Sequence, residues 1–232
     1  MSRFILAVVV LMLVVTVAGC NRFPDLSIQV TANLSPDDEC VVSSDSTDTL
    51  PSGRYDLAVV RDYVMWPRVE SYIVSNALEF QGEQGNIQIT GFDVTILLPD
   101  GSQPVLAGEL PNPYSVASSA VIPVSGGGEP SASAAFAVAI PASYHSALLA
   151  LVADTGFEQI SIDIRANGTT SGGFSQKSGP FRWPLLFCNG CLGVACDAPA
   201  EVGDPELGAC YPGQDNDGYC VTIVEPEIPA PT

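Results

Sequence analysis

Apolar and polar residues alternate over several short segments of this chain, and this two-residue period predicts β-strands. The clearest segment is 157–166, where Ile160, Ile162 and Ile164 share one face and the residues between them are polar. Similar runs predict further strands at 26–30, 55–60, 63–74, 87–98, 116–124, 132–140 and 181–187. The segment 143–152 has a hint of helical spacing instead, so we expect one short helical turn among the strands.

Turn residues between these runs predict how the strands connect. Asp100-Gly101 precedes Val105 and Leu106, and Asn167-Gly168 precedes a return toward Phe174, so both pairs predict tight hairpins. The segments 116–124 and 132–140 are predicted to pair across glycines 126–128. Pro67 lies within 63–74, a position that a central strand does not tolerate at a paired N–H.

Many short strands with almost no helix predict an all-β domain over residues 26–187, an antiparallel β-sandwich. The pattern from Ile160 to Phe187 resembles the closing strands of immunoglobulin-like and fibronectin-like domains. The Cys…Trp…Cys spacing of antibody domains is absent, so that particular family is not implied. A jelly roll and a second small domain are the alternatives.

The first twenty residues have a different pattern. A short cationic start precedes an apolar run over 4–17, which is too short to span a bilayer comfortably. Val17-Ala18-Gly19-Cys20 follows and resembles the lipobox of bacterial lipoproteins. The resemblance implies that residues 1–19 are a signal peptide, that Cys20 is acylated and that 20–25 tether the domain to a lipid bilayer. Asn21 in place of Asp implies the outer membrane by the same resemblance, whereas an ordinary secretory signal is the alternative.

Charge narrows the classes of partner. The sequence has 26 acidic against 8 basic residues and a formal net charge of −18. Such a surface repels nucleic acid and anionic lipid head groups, so the acyl chains must hold the protein at the membrane. Solubility at a crowded cell surface explains the acidity, and cation binding is the second explanation.

Six cysteines remain once Cys20 is assigned to lipid, an even number that predicts three disulfides in an oxidising compartment. They are Cys40, Cys188, Cys191, Cys196, Cys210 and Cys220. Five of them lie within a predicted stapled extension at 188–223, before a predicted disordered tail at 224–232. Because Cys40 follows the first predicted strand and Cys188 the last, we expect Cys40 to pair with Cys188 or Cys191. A zinc or redox role for Cys188-x-x-Cys191 is the weaker interpretation, because neither the four ligands nor the βαβ setting is present.

Three further groups are candidates for chemistry. His145 stands beside Ser143 and Ser146, but adjacent side chains usually point apart, so we expect an exposed or partly packed histidine in a turn and no catalytic residue. Asp215 and Asp217 precede Gly218 in a string that resembles the calcium repeats of thrombospondin-like proteins. Gly213 and Val224 stand where two ligands would be, so an acidic turn is the alternative to calcium.

Four aromatic residues are the last candidates: Trp66, Trp183, Tyr63 and Tyr72. They either form a platform on which a carbohydrate stacks or pack in the core.

These features together predict a membrane-anchored bacterial lipoprotein that acts as a non-enzymatic binding or interaction module. We expect its partner to be a protein or a glycan of unknown identity, and we do not expect it to bind nucleic acid. A structural envelope component is the second hypothesis, and a hydrolase of envelope material is the third.

Overall fold

The structure is a computed structural model that describes residues 27–59, 61–73, 85–124, 129–156, 158–195, 210–215 and 219–221. The predicted signal peptide, lipid site, tether and C-terminal tail lie outside these ranges. Within them the chain is mostly β. The strands are β1 Ile28–Leu34, β2 Thr49–Leu50, β3 Gly53–Asp56, β4 Tyr63–Met65, β5 Pro67–Ser71, β6 Ile87–Leu97, β7 Tyr114–Ile122, β8 Ser131–Ala134, β9 Ala137–Ile140, β10 Gln159–Thr170, β11 Ser175–Lys177, β12 Phe181–Cys188, β13 Gly193–Ala195 and β14 Tyr219–Val221. Helix α1 covers His145–Thr155, and short 3₁₀ turns cover Ala107–Glu109 and Ala142–Tyr144.

The strands form two main sheets. The smaller has the order β2-β1-β5-β8, and the larger has the order β3-β12-β10-β6-β7, with β11 added beside β10. Two short pairs, β4-β9 and β13-β14, complete the described strands. Neighbours are antiparallel except that β3 runs parallel to β12, and β14 to β13. A parallel neighbour is available to β3 because it lies far from β12 in sequence, so no tight turn has to join them.

One hydrophobic core unites these elements. The inward residues of β6, β10 and β12 alternate with outward ones, as the sequence pattern predicted. Ile28 and Val69 of the smaller sheet belong to the same core as Ile162 and Leu185 of the larger sheet. Helix α1 adds Leu148 to that core. Helical structure is thus present where one short turn was predicted at 143–152, but it is longer, with 11 residues over His145–Thr155.

Two predicted hairpins are wrong. A tight turn does form at Asp100-Gly101, where the Gly101 N–H donates to Leu98 O over 2.9 Å. However, Val105 is 96% exposed, and the partner of β6 is β7, which begins only at Tyr114. The segments 116–124 and 132–140 also do not pair with each other, because β7 joins β6 while β8 joins β5 and β9 joins β4. The consecutive strands β7, β8 and β9 belong to three different sheets. Alternation of apolar and polar residues identifies a strand but does not identify the strand with which it pairs.

The third hairpin lies elsewhere than predicted. Asn167 and Gly168 are within β10, at a register shift against β6. The turn follows at 171–173, where Gly173 has a φ of 85° and donates its N–H to Thr170 O over 2.8 Å. A glycine at positive φ is the usual requirement of such a turn, and Gly173 meets it five residues after the predicted site ends.

Candidate functional site

Residues 210–215 dock against β3 and β4 through a buried amide. The Gln214 Oε1 accepts a hydrogen bond from Val64 N over 2.9 Å, and the Gln214 Nε2 donates to Val64 O over 3.0 Å. The Gly213 carbonyl accepts from Asp56 N over 2.9 Å. The amide therefore substitutes for a neighbouring strand at Val64 and fixes this C-terminal segment on the β domain.

Asp215 closes a hydrogen-bond chain that begins in the core. The Trp183 Nε1 donates to the Tyr63 hydroxyl over 3.0 Å, and that hydroxyl donates to Asp215 Oδ1 over 2.8 Å. Asp215 Oδ1 also accepts from Arg54 N over 3.2 Å. Burial raises the pKa of Tyr63 well above its usual value, and the negative charge of Asp215 raises it further. Tyr63 is therefore a permanent donor to this carboxylate.

The calcium hypothesis concerns Asp215 and Asp217. The Asp215 carboxylate is engaged by Tyr63 and Arg54, which gives it a structural role independent of any cation. Asp217 lies outside the described residues. Calcium at this turn stays a prediction.

Beside Asp215 lies a small cavity of about 150 Å³, the Trp66 pocket. Its walls are loop 33–38, Leu50, Val64, Trp66 and residues of the 210–215 segment. The Trp66 ring packs edge-on against Phe136, with ring centroids 5.0 Å apart, and lies 6.3 Å from the Tyr211 ring. The Trp66 backbone is fixed because its N–H donates to the buried Asn33 Oδ1 over 2.7 Å.

The wall of the Trp66 pocket is acidic. Asp37, Asp38 and Asp215 all line it, whereas no lysine or arginine does among the described residues. Asp37 Oδ1 accepts hydrogen bonds from Glu39 N and Val41 N, which hold the loop in shape. Asp38 lies at the exposed rim. Carboxylates next to two aromatic rings favour a positively charged group.

The predicted aromatic platform does not form. Trp183 and Tyr63 are fully buried in the core, where a ligand could not stack on them. Tyr72 is 45% exposed and donates to the nearby Glu70. Of the four aromatic residues, Trp66 alone lines the described pocket.

Two disulfides are present among the described residues. Cys40 pairs with Cys210, and Cys188 pairs with Cys191. The expectation that Cys40 joins Cys188 or Cys191 is wrong because β1 and β12 belong to different sheets, so their ends are not sheet neighbours. Cys40 instead meets the docked 210–215 segment. Cys196 and the side chain of Cys220 lie outside the described residues, so the third disulfide stays a prediction.

A second polar cluster lies under the Cys188–Cys191 loop. Asp56 is completely buried, and its carboxylate accepts hydrogen bonds from Ala58 N, Gly190 N and Leu192 N over 2.9, 2.7 and 2.9 Å. A carboxylate oxygen of Asp56 and both cysteine sulfurs lie within 4.8 Å of one another. Such a group could hold a soft metal only as thiolates, whereas the two sulfurs here are bonded to each other.

His145 begins helix α1 and is buried there. Its Nε2 lies 2.8 Å from Leu57 O, a carbonyl contact that anchors the helix on the loop after β3. The neighbouring Tyr144 hydroxyl donates to Pro111 O over 2.8 Å. The expectation of an exposed or partly packed His145 in a turn is wrong, because the residue begins a helix and its ring is buried against the Leu57 carbonyl.

Sequence reasoning missed Asp56 and Gln214. An aspartate directly after the apolar Tyr55, inside a predicted strand, is a signal that could have identified Asp56 as a buried and satisfied carboxylate. Gln214 carries no comparable signal, because its partner Val64 is 150 positions away.

Among the described residues, no helix has both the length and the apolar character that crossing a membrane requires. No protein-family model matches this chain, and no curated protein matches it either. Among the solved structures to which it is similar is one described as the X-ray structure of Northeast Structural Genomics Consortium target SoR45, with 12% identity. The match covers 78% of this chain and 98% of that one, with a TM-score of 0.27. The two backbones superpose too poorly for the likeness to bear on fold or function.

Proposed function

We propose that this chain is a lipid-anchored protein of the bacterial cell envelope whose β domain binds a cationic group. The anchor is supported by Val17-Ala18-Gly19-Cys20 and by the short apolar run before it. Acyl chains on Cys20 would place the domain at the membrane surface, with the outer membrane favoured by Asn21. Anionic head groups repel the strongly acidic chain, so attachment to the membrane depends on the acyl chains of Cys20.

The observation that carries the binding role is the Trp66 pocket. Two aromatic rings and three carboxylates line a cavity of about 150 Å³, which has room for the head of a lysine or arginine side chain. An ammonium or guanidinium near carboxylates gains charge-assisted hydrogen bonds, and it gains a cation–π contact with Trp66 or Tyr211. The ligand class is therefore a basic peptide segment or another amine-bearing envelope component.

For the fold we propose an immunoglobulin-like or fibronectin-like sandwich with additions at its edges. The support is that β1 and β5 bury residues in the same core as β6, β10 and β12. The parallel strand β3 and the docked 210–215 segment would then be additions to that frame. The docked segment supplies one wall of the Trp66 pocket.

The anchor is tested by expressing the full chain in a bacterium and analysing the mature amino terminus by mass spectrometry. We expect residues 1–19 to be absent and Cys20 to carry acyl chains. The Cys20→Ser variant should leave the membrane fraction, whereas Cys40→Ser, a matched change elsewhere, should not. An intact Met1, or an unmodified Cys20, would show that the segment is not a lipoprotein signal.

The Trp66 pocket is tested by titrating the protein with arginine methyl ester and following amide resonances and tryptophan fluorescence. We expect saturable shifts near Trp66 and Tyr211, weakened several-fold by Asp38→Asn and by Trp66→Leu. Asp45→Asn removes the same charge from the same loop outside the pocket wall and should leave binding unchanged. If Asp38→Asn and Asp45→Asn weaken binding equally, the ligand is attracted by the overall negative charge of the protein and not by the Trp66 pocket.

A role as a structural envelope component is the second candidate, and strand β7 favours it. This nine-residue strand lies at the edge of the larger sheet and pairs only with β6 among the described strands. An edge strand can add a strand from another protein. Crosslinking in intact cells from a photoreactive residue at Ser119 would capture a partner if assembly is the role, and a lysine-rich peptide ligand would not compete for it.

A further inference from the structure

We propose that the Cys188–Cys191 disulfide is a thiol–disulfide exchange site, with Cys191 as the attacked sulfur and Asp56 as its positioning residue. The site is separate from the Trp66 pocket, so neither proposal depends on the other. Its substrate is a dithiol or disulfide of an envelope protein or of a small molecule.

The two cysteines differ in exposure. Cys191 is exposed, whereas Cys188 is half-buried at the end of β12. A thiolate arriving from solvent can therefore approach the Cys191 sulfur, with Cys188 as the leaving group on the protein side. Exchange requires such access to one sulfur along the S–S axis.

Asp56 holds the loop by contacts that do not involve the sulfurs. Its carboxylate accepts from Gly190 N and Leu192 N, on either side of Cys191. Leu57 N also donates to Cys188 O over 2.7 Å. These bonds persist when the S–S bond opens, so the two thiols stay close together and can close again.

The exchange conserves atoms and electrons. One thiolate of an external dithiol attacks Cys191 Sγ, a mixed disulfide forms, and the electron pair of the broken S–S bond goes to Cys188 Sγ, which takes up a proton. The second thiolate of the dithiol attacks its own sulfur in the mixed disulfide and releases Cys191 as a thiolate, which is also protonated. Two electrons and two protons pass from the dithiol to the protein, and the dithiol leaves as a disulfide.

The second disulfide is an internal reference in the same molecule. Cys40–Cys210 joins residues 170 positions apart, whereas Cys188–Cys191 spans three. The fold stabilises the long-range bond, because opening it releases a large loop of the unfolded chain. Opening the short bond leaves the fold in place. Exchange should therefore be selective.

The first experiment treats the mature wild-type protein with increasing dithiothreitol, blocks free thiols by alkylation and maps them by mass spectrometry. We expect Cys188 and Cys191 to be alkylated at concentrations that leave Cys40 and Cys210 bonded, with unchanged tryptophan fluorescence. Oxidised glutathione should then close the bond again. If both disulfides open over one concentration range, or the short bond opens only in urea, the proposal is overturned.

The second experiment compares two matched variants with oxidised glutathione. Cys188→Ser leaves the exposed sulfur and should form a mixed disulfide several-fold faster than Cys191→Ser, which leaves the half-buried one. Equal rates would contradict the assignment of Cys191 as the attacked sulfur.

The third experiment tests Asp56 by the pH dependence of alkylation of the reduced pair. Removing the negative charge in Asp56→Asn favours the thiolates, so half-maximal alkylation should move to lower pH. A purely structural carboxylate would change the folding stability and leave this midpoint where it is. If Asp56→Asn does not fold, the wild-type titration and the serine pair still decide the proposal.

Discussion

Single residues join distant parts of this chain through buried polar contacts. The Gln214 amide satisfies both backbone groups of Val64, which would otherwise be buried without partners. We expect Gln214→Ala to lower the free energy of unfolding by about 1–3 kcal/mol, the usual penalty for stranding buried polar groups. Urea unfolding measures it.

The control for this change is Gln29→Ala, which removes the same side chain from an exposed position of β1. Its effect should stay within about 0.5 kcal/mol, as for most surface substitutions. Similar losses in both variants would mean that the amide of Gln214 does not hold the 210–215 segment.

Tyr55 gives a prediction for alkaline pH. Burial raises its pKa from 10.0 to about 12, and its hydroxyl donates a hydrogen bond to Arg61 O over 2.6 Å. Because the folded state holds this proton more tightly than the unfolded state, Tyr55 stabilises the fold fully below pH 10. That contribution is lost as the pH rises from 10 to about 12. Tyr55→Phe should flatten the fall of the unfolding free energy over this window, and identical slopes would exclude the effect.

What the sequence could predict at this scale depended on local signals. The burial of His145 was not predicted, because its partner, the Leu57 carbonyl, is 88 positions away. Asp215 was chosen for its acidic surroundings, yet its principal donor is Tyr63, 152 positions away. No local pattern contains that pair. Asp56 was overlooked because one carboxylate in an apolar segment resembles no known motif.

At the scale of elements, strands were predictable and their partners were not. Strands β6, β10 and β12 and helix α1 lie close to the predicted ranges, because alternation and helical spacing are written in consecutive residues. The hairpins failed because Asn167-Gly168 can occupy a strand bulge as well as a turn. The adjacent 171–173 segment supplied the positive φ instead.

Glycine substitutions distinguish packing from turn geometry. A Cβ on Gly91 of β6 would lie 2.5 Å from the Val116 carbonyl oxygen of β7, so the two strands would have to separate. We expect Gly91→Ala to cost about 2–3 kcal/mol as overpacking. Gly173→Ala meets no atoms within 4 Å and suffers only from its positive φ, about 1 kcal/mol.

Thermal or urea unfolding of both variants measures the difference. If Gly173→Ala lowers the free energy of unfolding more than Gly91→Ala does, β6 and β7 do not approach each other closely at the register shift between Ile89 and Gly91.

At the scale of the whole molecule, the Cys40–Cys210 disulfide closes a long covalent loop between two distant parts of the chain. Cys40–Cys210 joins the loop after β1 to the segment that docks on β3 and β4. The even number of cysteines was readable from the sequence, but the connectivity was not, because it depends on which sheet each strand end joins. The same bond holds two walls of the Trp66 pocket together, since Cys210 lines it.

The two disulfides should therefore differ in their contribution to stability. In the chain-entropy model a loop of 170 positions contributes about 5 kcal/mol and a loop of three about 2 kcal/mol. We expect the double variant Cys40→Ser/Cys210→Ser to lose roughly twice as much unfolding free energy as Cys188→Ser/Cys191→Ser in non-reducing guanidinium titrations. The first variant should also bind arginine methyl ester more weakly, because the pocket wall at Cys210 loses its covalent link to loop 35–48. The second should bind it normally. Equal losses of stability, with equal binding, would mean that the C-terminal segment is held by its hydrogen bonds alone.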